Sequence, residues 1–302
     1  MKKIKLTAVM YHYVRDTKKT EFPGLKALPI ADFERQLDYL EKEYNLISWP
    51  ALLEFLRGKE KLPKRACLLT FDDGLRDHYL NVYPRLKSRG LSGLFFCIAR
   101  RSKEGLALVQ LLQLVLAKVG DAEFPKMFTG ALTQKERKDF EYYYKKCEKE
   151  YPPDRFGQDQ LRNIRRAITA YMPELALLIL RRIFNELIGD EHVFANDFYL
   201  NNDEILEMAS GGMHFGGHGT THFRLPKINA ARQAREIAGS AKFLERIEKM
   251  PWAFSYPYGD YNEALFPILK ENNFAAAFSI EGKKEHSNPY VIGRIDTIFL
   301  PH

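Results

Sequence analysis

Two uninterrupted apolar runs near the start of the chain constrain its fold most strongly. They are ACLLTF at residues 66–71 and GLFFCIA at residues 93–99, and neither alternates apolar with polar side chains. Strands of this kind are buried on both faces, as in a parallel sheet covered by helices. A helix predicted over residues 75–88 would connect them as a strand-helix-strand unit. We therefore expect an α/β fold.

The pattern changes to helices alone between residues 101 and 197. Apolar residues recur there at helical spacing, without a convincing strand, and the alternation of strands and helices resumes at residue 198. The sequence thus predicts an α/β domain of residues 1–100 and 198–302, interrupted by an all-helical insertion of residues 101–197.

One segment of the predicted insertion, LALVQLLQLVLAKV, is unusually rich in leucine. It is a candidate for contact with a membrane surface or with a second copy of the chain, and a buried core helix is the alternative. No apolar run reaches the roughly 18 residues of a membrane-spanning helix.

The overall composition excludes several classes of protein. Of the 302 residues, 45% are hydrophobic and 28% charged, which excludes disordered and fibrous chains. The formal net charge is +7, but basic residues are mixed with acidic ones, so we expect no nucleic-acid partner. The three cysteines form no CxxC pair, and the N-terminus lacks an apolar signal segment. These features predict free thiols in a cytoplasmic protein, either free in the cytoplasm or peripheral to the inner membrane face.

The motif TFDDG at residues 70–74 ends a predicted strand with Asp72 and Asp73. Adjacent carboxylates at the edge of a core repel each other and lose hydration, so a cation or a transferable proton must offset the cost. Consecutive strand residues point to opposite faces, but a turn at Gly74 would let both carboxylates address one site. Ligands of α/β sheets bind at this carboxyl end of the strands.

A second motif, HGTTH, places His218 and His222 four residues apart. The two imidazoles can converge on one cation if the segment turns, and with one carboxylate they leave coordination positions for water and substrate. For an isolated motif, a structural histidine pair is the alternative. The carboxylate pair strengthens the metal interpretation.

These motifs, with SYPYG at residues 255–259, resemble in kind and order those of the NodB-type polysaccharide deacetylases, also called carbohydrate esterase family 4. The resemblance covers residues 1–100 and 198–299. It implies a distorted (β/α) barrel of about seven strands.

The resemblance also implies a division of roles. Asp73, His218 and His222 would hold a divalent metal, with zinc the expected ion, and Asp72 would be the general base toward the attacking water. The water would attack an N-acetyl carbonyl on an amino sugar, while the metal and the backbone N–H of Tyr258 stabilise the oxyanion. Acetate and a free amine would leave.

Two family features are missing and need replacements. Ser255 occupies the position where the family often has an arginine that orients the base, and no late Leu-x-His motif supplies a general acid. Arg294 is the candidate for the arginine, with a surface ion pair as the alternative. His12, in VMYHYV, resembles the Tyr-His motif of the subgroup that deacetylates poly-N-acetylglucosamine and is the candidate acid. A structural role is its alternative, and His286 is a weaker acid candidate.

The leading functional hypothesis is removal of an N-acetyl group from an amino sugar in a glycan or glycan precursor. A formyl or cyclic-amide hydrolase acting on a small metabolite is the alternative within the same class. A glycan-binding protein that has lost catalysis is the alternative from another class, and the two missing family features motivate it.

Overall fold

Seven parallel strands close into a barrel in the computed structural model of the chain, which describes residues 3–18, 20–99, 104–150, 160–282 and 285–301. In chain order they are β2 (Thr7–Tyr11), β4 (Ala66–Asp73), β5 (Leu94–Cys97), β6 (His214–Gly217), β7 (Trp252–Ser255), β8 (Phe274–Ser279) and β10 (Ile292–Asp296). Pairing of β2 with both β4 and β10 closes the ring. The predicted barrel of about seven strands is confirmed.

Three short strands lie outside the barrel. β3 (Asn45–Leu46) extends the sheet beside β4, and β1 (Ile4–Lys5) pairs antiparallel with β9 (Glu285–His286). Because β1 precedes β2 along the chain, its pair with β9 lies beyond the amino end of β2. It is therefore remote from the carboxyl ends of the barrel strands.

Helices surround the barrel and fill the connection between β5 and β6. Twelve occur in the described ranges: α1 (Ile30–Glu43), α2 (Trp49–Leu56), α3 (Tyr83–Ser88), α4 (Leu108–Val119), α5 (Phe124–Gly130), α6 (Gln134–Glu150), α7 (Gln160–Tyr171), α8 (Pro173–Leu187), α9 (Glu191–Phe198), α10 (Asn202–Ser210), α11 (Ala230–Leu244) and α12 (Leu265–Glu271). A π-helical turn at His78–Val82 precedes α3, where a continuous helix was expected. The division of the chain into a barrel and an insertion domain stays a prediction.

Side chains of β4 alternate between two hydrophobic cores. Leu68 belongs to the core inside the barrel, whereas Leu69 and Phe71 belong to the layer between the barrel and its helices. In that layer the Phe71 ring stacks on Phe95 with centroids 4.6 Å apart and on Tyr11 at 5.1 Å. All eight residues of β4 are buried, which explains why its sequence does not alternate.

The leucine-rich helix α4 is part of a further core formed mainly by α4–α9. Its apolar side chains are buried, including Leu108, Leu111, Leu112, Leu114 and Val115. This burial favours the alternative of a core helix over a membrane-surface or dimer helix. None of the helices in the described ranges combines the length and hydropathy needed to cross a bilayer. The cytoplasmic location stays a prediction.

Replacing Phe95 by alanine should leave a cavity beside Phe71 and lower the free energy of unfolding by about 3–5 kcal/mol. Phe299→Ala is the matched control, because the Phe299 side chain is 75% exposed. Urea denaturation of both variants measures the difference. Equal losses of unfolding free energy in the two variants would contradict the packing of the layer around Phe71.

Candidate metal and catalytic site

The end of β4 brings its two carboxylates to one place by a change in backbone conformation. Strand alternation points Thr70 and Asp72 toward the barrel interior and would send Asp73 outward. Instead Asp73 has φ 78° and Gly74 has φ 67°, so the chain turns sharply there. A positive φ is strained for aspartate, and such strain is common at functional sites.

Glycine is required at the next position for a steric reason as well. A Cβ on Gly74 would lie 3.0 Å from Sγ of Cys97, which ends the neighbouring strand β5. The apolar run and the glycine of the motif thus act together, one burying the strand and the other permitting the turn.

Arg294 of β10 binds Asp72 inside the barrel. Its Nη1 and Nη2 donate to Oδ1 and Oδ2 of Asp72, each at 2.6 Å, and Nη2 also donates to Oγ of Ser255 at 2.9 Å. Arg294 is 1% exposed and Asp72 2% exposed. The structure therefore places Arg294 in a buried bidentate pair, and the alternative of a surface ion pair is wrong.

Pairing with Arg294 determines the protonation state of Asp72. Burial raises the pKa of Asp72, but the Arg294 guanidinium outweighs burial and holds that pKa well below its usual value. Asp72 is therefore a carboxylate at neutral pH, with its orientation fixed by the guanidinium.

Asp73, His218 and His222 converge as a possible metal site. Oδ1 of Asp73 lies 3.5 Å from Nε2 of each histidine, and the two Nε2 atoms are 3.1 Å apart. The Nδ1 atom of His218 donates to the carbonyl oxygen of Ser255 at 2.7 Å, which leaves a lone pair on its Nε2. All three side chains are buried.

The chemistry of this donor set fits a divalent cation. Within the described ranges, Oδ1 of Asp73 is buried without a hydrogen-bond partner. Burial raises the pKa of Asp73 and lowers that of His222, so the imidazole is neutral, as ligation requires. One carboxylate oxygen and two imidazole nitrogens are ligands that zinc accepts, with further positions left open.

Glu236 holds the histidine loop, although its sequence context suggested only a residue on an amphipathic helix. This α11 carboxylate accepts from the backbone N–H groups of Thr220 and Thr221 at 2.7 and 2.8 Å, and from Oγ1 of Thr221 at 2.7 Å. It is 4% exposed. Loop and helix are separate in sequence, so no local signal identifies the contact.

His12 lies beside the carboxylate cluster, at the edge of solvent. It follows β2, its side chain is 37% exposed, and its Nε2 is 3.9 Å from Oδ2 of Asp72. His78 fixes the local backbone by donating from Nε2 to the carbonyl oxygen of His12 at 3.0 Å. His286, the other acid candidate, lies on β9 beside Ile4, away from the carboxyl ends of the barrel strands.

Tyr258 borders the metal ligands through a tight turn. It has φ 60° and ψ 8° within the 3₁₀ turn Pro257–Gly259. Its ring contacts the His222 ring with centroids 4.8 Å apart, and the Arg224 guanidinium lies 4.1 Å from its centroid. These contacts fix the backbone of the SYPYG motif next to His222.

A profile of the family described as polysaccharide deacetylase matches residues 59–120 and 185–277, just over half of the chain. The chain belongs to the polysaccharide deacetylase family. The match includes both aspartates, both histidines and Tyr258, whereas His12 and Arg294 lie outside the matched residues. It also includes α4 and omits residues 121–184.

Individual members and solved structures agree with this family. The putative polysaccharide deacetylase YxkH of Bacillus subtilis (strain 168) is 29% identical over 100 residues, which are 33% of this chain and 34% of that protein. The match thus spans about a third of this curated relative's length.

Two solved structures share the fold over nearly the whole chain. The Streptococcus pyogenes deacetylase PplD, in complex with acetate, has a TM-score of 0.59 at 17% identity and covers 99% of this chain and 94% of its own. A de-N-acetylase from Aggregatibacter actinomycetemcomitans has a TM-score of 0.57 at 18% identity, covering 98% and 96%. Membership of the Tyr-His subgroup stays a prediction.

Replacing Arg294 by methionine should lower the free energy of unfolding by about 3–5 kcal/mol, because it leaves the Asp72 charge buried and unpaired. Arg57→Met is the matched control, since Arg57 pairs with Glu54 at the surface, and its stability should stay near that of the wild type. Chemical denaturation at neutral pH measures both. A small and equal loss of unfolding free energy in the two variants would show that the buried Asp72 charge does not depend on the guanidinium.

Proposed function

We propose that this polysaccharide deacetylase family member is a metal-dependent hydrolase that removes an N-acetyl group from an amino sugar, in a glycan or a glycan precursor. One observation carries the proposal: three side chains that could hold a metal ion lie next to an ionised, oriented carboxylate at the same end of the barrel. Family membership supports it, as does the likeness to a deacetylase in complex with acetate, the product that such a reaction releases.

Asp73, His218 and His222 would hold the cation, for which zinc is the proposed ion. When bound, such an ion polarises the carbonyl group of the substrate and lowers the pKa of water toward neutrality. Glu236 would keep the histidine loop in place during turnover, because it holds the backbone between the two histidines.

Asp72 is the proposed base. Its low pKa makes it a weak base, so it accepts a proton only from water whose own pKa has been lowered. Arg294 keeps both carboxylate oxygens oriented, and Ser255 extends this contact by accepting from the guanidinium. Arg294 from β10 would thereby replace the arginine that the family often has at the position of Ser255.

Tyr258 and His12 complete the proposed reaction. As the water oxygen bonds to the amide carbon, the backbone N–H of Tyr258 would donate to the developing oxyanion. As the carbon–nitrogen bond breaks, His12 would give its proton to the amine, so acetate and an amino sugar leave. The position of His12 between Asp72 and solvent supports this role.

The buried Arg294–Asp72 pair argues against a glycan-binding protein that has lost catalysis, because it restores the orientation that the third motif lacks. Release of formate or opening of a cyclic amide remains the rival within the same reaction class. Incubation of the zinc-loaded protein with acetylated, formylated and cyclic amides distinguishes these reactions by their products.

Asp72→Asn should retain zinc but lose about 10²–10⁴-fold in turnover, since it removes the proton acceptor. Asp73→Asn should lose zinc affinity, because it removes a ligand. Zinc content by elemental analysis and acetate release from an N-acetylglucosamine oligomer measure the two effects. Asp38→Asn, at an exposed position of α1, is the control.

The assignment of roles is contradicted if the Asp72 and Asp73 variants hold equal zinc. Full turnover by Asp72→Asn would remove Asp72 as the base.

His12→Ala should slow deacetylation of an amino sugar by about 10²-fold, because the leaving amine is then not protonated. An acetanilide with a weakly basic leaving amine needs less protonation, so its rate should fall much less. His286→Ala is the control and should keep wild-type rates on both substrates. Equal losses on the two amides would exclude His12 as the acid.

A further inference from the structure

Gln110 is a fully buried amide in the mainly apolar helix α4. The amino end of α4 packs against the site, because Ala107 and Val109 form a small cluster with Ile98 and Tyr258. A polar side chain at this place needs an explanation, because burying an amide without partners is costly.

The neighbours of Gln110 fix which end of its amide faces the site. Oη of Tyr199 accepts from the backbone N–H of Ala107 at 3.0 Å and donates its proton to Oε1 of Gln110, also at 3.0 Å. Since Oε1 is thereby identified as the acceptor, Nε2 is the end left for another partner. In the described ranges, Nε2 is buried without a hydrogen bond of full geometry.

Tyr199, the hydrogen-bond partner of Gln110, forms a β-bridge with Leu75, two residues after Asp73, so Gln110 lies near the Asp73 carboxylate. Burial raises the pKa of Asp73, and the Gln110 amide opposes this rise as a hydrogen-bond donor to the carboxylate. Among the residues that the structure describes, Oδ1 of Asp73 and Nε2 of Gln110 are both buried without a hydrogen-bond partner. The Gln110 amide thus has an unused donor, and the Asp73 carboxylate has an unused acceptor oxygen 3.5 Å from Nε2 of each histidine.

We propose that Gln110 is a positioning residue for the metal site, donating from Nε2 to Asp73 and holding that carboxylate turned toward His218 and His222. The inference rests on the proposed metal-binding role of Asp73. The backbone of Asp73 is strained at φ 78°, so a contact that restrains its side chain keeps the ligand in place. Partners of this kind commonly change metal affinity by about 10–100-fold.

The same helix supplies a matched control. Gln113 lies one turn further along α4, and its Oε1 accepts from the hydroxyl of Tyr13 at 2.7 Å. Its replacement removes an amide of the same kind from the same helix, without removing the proposed donor to Asp73.

The experiment measures zinc affinity alone, by competition with a chromophoric chelator, in the full-length chain. Gln110→Met should weaken zinc binding by about tenfold, in the range found for residues that support metal ligands. Tyr199→Phe keeps Gln110 but frees its amide to rotate, so a smaller loss of about threefold is expected. Gln113→Met should bind zinc within about twofold of the wild type.

Zinc affinity of Gln110→Met within twofold of the wild type, with both proteins folded, would overturn the proposal. If Gln110→Met does not fold, zinc affinity of Tyr199→Phe within twofold of the wild type would overturn the proposal instead. A wild-type chain that binds no zinc would overturn the metal site and this inference together. Tight wild-type binding without acetate release would contradict the proposed function and leave the Gln110 test intact.

Discussion

A buried guanidinium bound to a buried carboxylate organises this end of the barrel. Arg294 and Asp72 lie on different strands, and their two parallel hydrogen bonds join β10 to β4 across the barrel interior. A lone carboxylate at this depth would tend to take up a proton, whereas the paired one stays charged. The barrel can therefore keep an ionised side chain next to a possible metal site.

The pair also gives the two adjacent aspartates different binding partners. Asp72 has both oxygens bound by Arg294, while Asp73 is turned by its positive φ toward His218 and His222. Arg294 neutralises the charge of Asp72, and a cation held by Asp73, His218 and His222 would offset the second charge. In the proposed mechanism this separation assigns proton transfer to one carboxylate and metal binding to the other.

The sequence predicted much of this arrangement, and the limits follow from physical causes. The apolar runs and the turn at Gly74 are local signals, so the α/β fold and the carboxylates at a strand end were predictable from them, whereas the barrel was expected from the family resemblance. Arg294 could be suggested only because the third motif lacks an arginine, since closure of the barrel brings β10 to the site. Glu236 and Gln110 gave no signal, because helices remote in sequence carry them and only packing shows their contacts.

The most direct test of the different roles of Asp72 and Asp73 is a crystal structure of the zinc-loaded protein. Its data would be collected on both sides of the zinc absorption edge. The account predicts one anomalous peak bound by Asp73, His218 and His222, with Asp72 still bound by Arg294. A peak bridging both carboxylates, or one located away from the two histidines, would contradict it.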